Sequence, residues 1–338
     1  MTSPLVNHLQ RRIREHGPIS FRSFMEEALY HPEFGYYTSD RNPIGREGDF
    51  YTSSDLDPIF GKLLARKFEQ MAASLQIAQE QFTVLELGAG RGLLAREILT
   101  HHRFRYGILE RSGPMKQRQQ ELLREFDVEW FSDLPQGISG CIFSNEFFDA
   151  LPVRRIVRRG QKLQEIYVTA DFSEIEGDLQ EPLEVPLAEG QLADIGTDSR
   201  LWIGRIAQSL KRGYHLAIDY GYEDREFYAR PHGTLMCYWR HQAVEDPYVR
   251  VGEQDITAHV NFSDLMREGT AGGLHTETFQ TQMQFLIQLG ILTELESLVP
   301  ARTVKDIQRL AALKKLILPD GMGERFKVLV QRTASREI

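Results

Sequence analysis

The stretch Glu86-Leu87-Gly88-Ala89-Gly90-Arg91-Gly92 constrains the fold of this chain more than any other, because it follows directly on an apolar run at residues 82–85. Glycines at alternate positions let a chain leave a buried strand, turn tightly and bring its backbone close to a ligand before a helix begins. The rhythm continues downstream. Short apolar runs at 106–109, 128–131, 141–143 and 215–218 are separated by amphipathic stretches such as 93–99 and 115–126. That alternation predicts parallel strands joined by crossover helices, a doubly wound, Rossmann-like α/β sheet. In such sheets ligands sit beyond the carboxyl ends of the strands, where strand order reverses.

Spacing and charge select the ligand. A dinucleotide fingerprint needs its third glycine at position 93, which is Leu93, and no Gly-Lys-Ser or Gly-Lys-Thr occurs to build a phosphate-cradling loop. Glu86 sets a negative charge beside the turn, which repels a diphosphate and suits the sulfonium and ammonium of S-adenosylmethionine (SAM). Glu110 closes the second strand, where a carboxylate can accept both ribose hydroxyls. Asp133 and Leu134 close the third, where the acid can accept from an adenine amino group and the leucine can cover the ring. Any one of these acids has an alternative role as a helix cap. Their succession at three consecutive strand ends predicts a class I SAM-dependent methyltransferase sheet whose cofactor contacts include Glu86, Gly88, Gly90, Gly92, Glu110, Asp133 and Leu134.

The rest of the chain divides around that sheet. Residues 1–80 read as an N-terminal helical region, interrupted at 31–55 by a glycine- and aromatic-rich loop. Its Tyr36, Tyr37, Asp49, Thr52 and Ser53 are candidates to fold over the cofactor as a lid, with Thr52 and Ser53 as cofactor contacts; packing accounts equally for the aromatics. Residues 81–338 read as the methyltransferase core, with insertions at about 154–200 and 222–285. The first insertion opens with a hairpin, 153–157 and 163–168, turning at Arg158-Arg159-Gly160-Gln161. It continues through an acid-rich stretch, 171–198, expected to be an exposed excursion with no chemistry of its own. The second insertion is dense in Tyr, His and Asp and reads as a cap on the substrate side. Residues 326–330 read as a last strand, antiparallel, at or near the sheet edge.

Composition excludes several other classes. The 338 residues are 41% hydrophobic and 26% charged, which is globular and argues against disorder. A net charge of −8 argues against a general nucleic-acid binder. No run approaches the roughly 20 apolar residues of a membrane span, so no membrane insertion is expected. Cys141 and Cys237 offer neither a disulfide framework nor metal-ligand spacing, and no metal site is expected. Arg11, Arg12 and Arg14 would suit a transit peptide, but Leu5, Leu9 and Ile13 recur at helical spacing and favour a folded first helix in a chain beginning at Met1.

Beyond the glycine turn, several blocks are distinctive. They are Gly17-Pro18-Ile19-Ser20-Phe21, Tyr30-His31-Pro32-Glu33-Phe34-Gly35-Tyr36-Tyr37, Gly48-Asp49-Phe50-Tyr51-Thr52-Ser53 and Asn145-Glu146-Phe147-Phe148-Asp149-Ala150-Leu151-Pro152-Val153. Ile218-Asp219-Tyr220-Gly221, Asp255-Ile256-Thr257-Ala258-His259-Val260-Asn261-Phe262 and Gly321-Met322-Gly323-Glu324-Arg325-Phe326-Lys327-Val328-Leu329 complete the set. Over nearly its full length the chain resembles the family of the arginine-methylating mitochondrial complex I assembly factor, also called the mitochondrial dysfunction protein A family. The resemblance implies a protein arginine methyltransferase whose eukaryotic members modify a core subunit of respiratory complex I. This chain reads as a bacterial, cytoplasmic relative, with the mitochondrial matrix as the expected place of a eukaryotic one. A SAM-binding assembly scaffold and a small-molecule methyltransferase are the alternatives.

An arginine acceptor has a pKa of roughly 12.5 or higher and so offers no free lone pair at neutral pH. Carboxylates are needed to clamp the guanidinium, polarise it and help take its proton. Glu146 with Asn145, just past the fourth strand, is the first candidate grip. Asp149 follows within the same turn, as a further acid or as a cap on the next element. Asp219, ending the fifth strand, is either another clamp or a structural partner of the cap. His259 is a candidate proton relay or a hydrogen-bonded residue holding its insertion in place.

Overall fold

Seven of the eight strands of the main sheet lie along its path: β1 Thr83–Leu87, β2 Arg105–Leu109, β3 Val128–Phe131, β4 Ile138–Asn145, β5 Leu210–Tyr222, β6 Leu274–Thr281 and β7 Phe326–Thr333. The structure is a computed structural model and describes residues 3–39, 57–298 and 303–334. The strands run in the order β6-β7-β5-β4-β1-β2-β3. β1 pairs in parallel with β2 and β4, β3 with β2, and β5 with β4, whereas β7 is antiparallel to β5 and β6. The chain therefore moves one way from β1 to β3 and crosses to the other side for β4. The reversal falls at the carboxyl end of β1, where the glycine turn lies, and the doubly wound expectation holds.

Two details go beyond the sequence reading. β7 lies one strand in from the edge, and the edge itself is β6, whose His275-Thr276-Glu277 face is exposed and carries no apolar run to announce it. Edge strands are commonly polar because they must not template further pairing. β5 also extends well beyond its apolar centre, in both directions, to Leu210 and Tyr222.

Contacts divide the described residues into two units. One comprises 57–147, 202–221, 265–298 and 303–334 and carries the sheet. The helix Ile59–Ser74 turns Phe60, Leu63, Leu64 and Phe68 inward at spacings of three and four, the recurrence of one helical face. These join Phe82, Ile98, Phe143, Leu216 and Val328 in one fully buried cluster. Each side chain of this size removed from water contributes roughly 1.5–3 kcal/mol.

The other unit comprises 3–39, 148–201 and 222–264. Leu5 and Leu9 on the helix Pro4–His16 pack with Phe21, Phe24 and Met25 of the helix Phe21–Tyr30, and with Tyr36, Val168 and Ile256. Ser20 caps that second helix, its hydroxyl accepting from the N–H of Ser23. One antiparallel sheet orders Ile19–Ser20, Lys162–Val168, Arg154–Arg159 and Leu192–Ile195, with Glu174–Gly177 added on Lys162–Val168. A second sheet places Leu235–Trp239 between Gln242–Val244 and Asp255–Ala258. The acid-rich stretch 171–198 is thus no plain excursion. It supplies two strands and the buried Asp194, which accepts from Arg155 and from the N–H groups of Thr234 and Leu235.

Candidate functional site

The turn after β1 has the backbone its glycines permit: Gly88, Gly90 and Gly92 lie at φ +64°, +51° and +79°. At Gly88 this is the left-handed region, and an added Cβ would also stand 3.1 Å from the ring of Phe147. The N–H of Gly88 donates to Leu109 O at 3.0 Å and that of Glu110 to Phe131 O at 3.2 Å, so pairing persists to the ends of β1, β2 and β3.

The three strand-end acids differ in their surroundings. Glu86 is 3% exposed and accepts from the hydroxyl of Tyr106 at 2.7 Å. Burial pushes its carboxyl up to about 7, against the opposing Tyr106 bond and with a smaller upward push from Glu110. The negative charge expected there is therefore only partly developed at neutral pH. Glu110 accepts from Ser112 N–H at 2.8 Å on one oxygen and from the Gln119 amide at 2.9 Å on the other. Burial raises its carboxyl, and these donors restrain the rise. Asp133 is exposed, accepts from the N–H of Leu134 at 2.9 Å and pairs with Arg205, whereas Leu134 is buried. Thr52 and Ser53, with Asp49, lie outside the described residues.

β4 ends at Asn145, whose side-chain amide donates to a carboxylate oxygen of Glu146 at 2.8 Å. Glu146 itself sits at φ +55°, a left-handed backbone that a non-glycine residue rarely adopts, and its N–H donates to Ile218 O at 2.9 Å. Such strain persists only where the surroundings over-determine it, and it concentrates at functional sites. Asp219 is fully buried and its two oxygens accept from the N–H groups of Phe147 and Tyr220.

Asp149 and His259 belong to the other unit. Asp149 is 4% exposed and its carbonyl accepts from Ala258 N–H at 3.0 Å, which ties it to the strand preceding His259. The His259 ring meets Tyr222 edge-on at 5.1 Å, and His259 lines a small cavity with Phe148, Ser199, Asn261 and Asp264. Tyr36 and Tyr37 are packing residues and not a lid. Tyr36 is buried in the core cluster, and the Tyr37 hydroxyl donates to Asp255 at 2.7 Å with its own ionisation driven well upward by burial.

Sequence reasoning missed Gln119 and Tyr106. Gln119 is fully buried on the helix Gly113–Leu122, and its amide reaches Gly90 O at 2.8 Å as well as Glu110. The signal was faint: one polar residue on the buried side of a weakly amphipathic helix. Tyr106 lies on a strand, inside an apolar run, where its hydroxyl gave no hint of its partner.

Glu110 bears on whether this edge fits SAM. Its two oxygens offer about four acceptor positions, and the N–H groups of Ser112 and Arg111 and the amide of Gln119 draw on three of them, so acceptor capacity remains for a ribose hydroxyl. With no side chain on Gly88, Gly90 or Gly92 and Leu134 buried beside Asp133, the donor and acceptor set fits the nucleoside of SAM. Among the described residues, His8, Glu27 and His31 bring three metal-ligand atoms within 4.8 Å of one another. Two of these groups are already engaged: Glu27 pairs with Arg12, and the His31 Nδ1 accepts from the N–H groups of Glu33 and Phe34.

Comparisons with known proteins agree with this geometry. A family model described as "Putative S-adenosyl-L-methionine-dependent methyltransferase" matches residues 63–280. The chain is 28% identical to the mouse (Mus musculus) protein named "Protein arginine methyltransferase NDUFAF7, mitochondrial", covering 96% of this chain and 83% of that one. Identity is also 28% to the Drosophila melanogaster homologue, covering 96% and 84%. A Burkholderia thailandensis crystal structure bound to S-adenosyl-homocysteine superposes with a TM-score of 0.89 at 30% identity, covering 97% of this chain and 91% of that one.

Proposed function

This chain belongs to the family of S-adenosyl-L-methionine-dependent methyltransferases, and from that premise we propose that it methylates the guanidinium of an arginine in a protein partner. SAM supplies an electrophilic methyl group on a sulfonium. What the chain must do is hold an acceptor nitrogen in line with that methyl and keep water away, mostly a matter of positioning. The observation that carries the acceptor class is the Glu146 carboxylate, fixed by Asn145 at the carboxyl end of β4 on a strained backbone.

A carboxylate accepts two parallel N–H bonds from a guanidinium, which orients the planar group and leaves its third nitrogen addressable. In this reading Asn145 holds one oxygen of Glu146 so that the grip does not swing, and Glu146 stabilises the guanidinium while a proton leaves. Asp149 is a second acid for that proton and His259 a relay, each to be tested by its own substitution. On the cofactor side Glu86, Gly88, Gly90, Gly92, Glu110, Asp133 and Leu134 form the SAM edge, with Thr52 and Ser53 as further contacts. The names of the curated relatives support a protein substrate and arginine as the acceptor. A core subunit of a respiratory complex I-type enzyme is the finer proposal, met in the bacterial cytoplasm or, in a eukaryote, the mitochondrial matrix. No described helix is long and apolar enough to cross a membrane.

The test is radiolabel transfer from SAM into cell extract followed by mass spectrometry of the labelled protein. Methylarginine in a respiratory subunit is the expected result. Label confined to small molecules would overturn the acceptor assignment while leaving the family intact.

A further inference from the structure

Gln119 buries an amide without exposing any of it, at a position on the helix Gly113–Leu122 where a leucine or methionine would fill the same space. All of that amide is used. Its nitrogen donates one hydrogen to Gly90 O at 2.8 Å and the other to Glu110 at 2.9 Å, while its oxygen accepts from the indole N–H of Trp130 on β3 at 3.0 Å. Trp130 is a pure donor, so it fixes which way the amide faces and directs both N–H groups at the cofactor edge.

We propose that Gln119 is a positioning residue for the cofactor: it locks the Gly88–Gly92 turn to the Glu110 carboxylate, and Trp130 locks Gln119. The inference rests on SAM binding at this edge and does not depend on what the acceptor is. It makes two separate demands. The turn must be held at the height at which its backbone meets the ligand. The Glu110 carboxylate must stay ionised and oriented although it is buried. The groups bearing on that ionisation are Glu86, the nearest like charge on β1, Arg111 beside it in sequence, and the N–H of Ser112. Gln119 contributes the second donor of that set, so its loss pushes the carboxyl upward and makes nucleoside binding weaken at a higher pH than in the parent protein.

The experiment titrates S-adenosyl-homocysteine calorimetrically into the full chain and its Gln119→Met variant between pH 5.5 and 8.5, with circular dichroism to confirm the fold. A Kd raised roughly tenfold or more at pH 7 is expected, growing as the pH falls, together with a loss that resides in the KM for SAM more than in kcat. A purely structural glutamine would lower the melting temperature and leave the pH profile of Kd where it was. Trp130→Phe removes only the donor that aligns the amide, so it should raise Kd about threefold and decides the matter if Gln119→Met does not fold. The inference is overturned if Kd and its pH profile are unchanged in the folded Gln119→Met protein, or, where that variant fails, in Trp130→Phe. If neither parent nor variant binds the probe, the SAM assignment itself falls.

Discussion

Three buried carboxylates of the sheet-bearing unit and four acids of the other are held in opposite ways, although Asp57 of the first pairs with Arg309 and Asp255 of the second accepts from Tyr37. In the sheet-bearing unit Glu86, Glu110 and Asp219 accept from a phenol, an amide and backbone N–H groups, all uncharged donors. In the other unit, buried or half-buried acids meet guanidinium groups. Arg154 forks onto Glu165 at 3.0 and 2.6 Å, Arg155 meets Asp194, Arg200 grips Asp264 and Arg22 grips Asp198. A carboxylate already neutralised by arginine has no charge left for a ligand, whereas one held by neutral donors keeps an unspent attraction for a cation. The first arrangement neutralises the acid, and the second leaves its charge available.

The largest effect that would break this contrast lies at the prepared end of β4. Glu146→Gln should lower methyl transfer by about 10²–10⁴-fold, the range of a lost acid–base group, while the calorimetric affinity for S-adenosyl-homocysteine stays within about twofold. Unchanged turnover would remove Glu146 from the chemistry. In the other unit the corresponding blow is to folding. Arg154→Met strands Glu165, which is 1% exposed, and should destabilise by about 3–5 kcal/mol in urea unfolding; Arg154→Met with Glu165→Met should restore most of it. A double variant as unstable as the single one would mean that the pair does more than neutralise itself.

Smaller shifts sharpen the comparison. The Glu86 carboxyl, raised from 4.5 to about 7, binds more protons folded than unfolded between those values, so stability falls as pH climbs through that window. Glu86→Gln keeps an acceptor for Tyr106 and loses the penalty. The variant should be more stable by roughly 3 kcal/mol at pH 8, and the gain should vanish by about pH 4.5, as read from melting curves across pH. The smallest effect should be the same in both units. Ser20→Ala and Ser112→Ala each remove a hydroxyl that accepts a helix N-terminal N–H, and each should cost about 1 kcal/mol. A large disparity between them would show that helix capping also differs between the units.

What the sequence disclosed and what it hid separate along physical lines. The sheet was legible because buried parallel strands are short continuous apolar runs, and the glycine turn because its left-handed backbone selects the residue. Glu110 and Glu146 could be singled out as candidates because strand ends in this fold are where ligands lie. β6 was not, since Leu274-His275-Thr276-Glu277 obeys no burial period on an exposed edge. Neither was the burial of Asp194, whose partners stand 39 to 41 residues away along the chain. The Tyr36–Tyr37 pair is ambiguous in sequence: aromatics in a glycine-rich loop suit a cover as well as a core, and only contacts distinguish the two. Gln119 stayed hidden because a polar residue within a helix announces its burial only through the groups it meets.

The contorted backbone at Glu146 sets durability against usefulness at a single position. Glycine relaxes there without complaint and asparagine nearly so, yet neither carries an acid. On the role proposed for Glu146, breeding this protein for heat resistance alone would therefore drift toward a sturdier chain that no longer transfers a methyl group. A screen that sorts survivors by melting point should pair every round with a turnover measurement, or it will discard the one residue worth keeping.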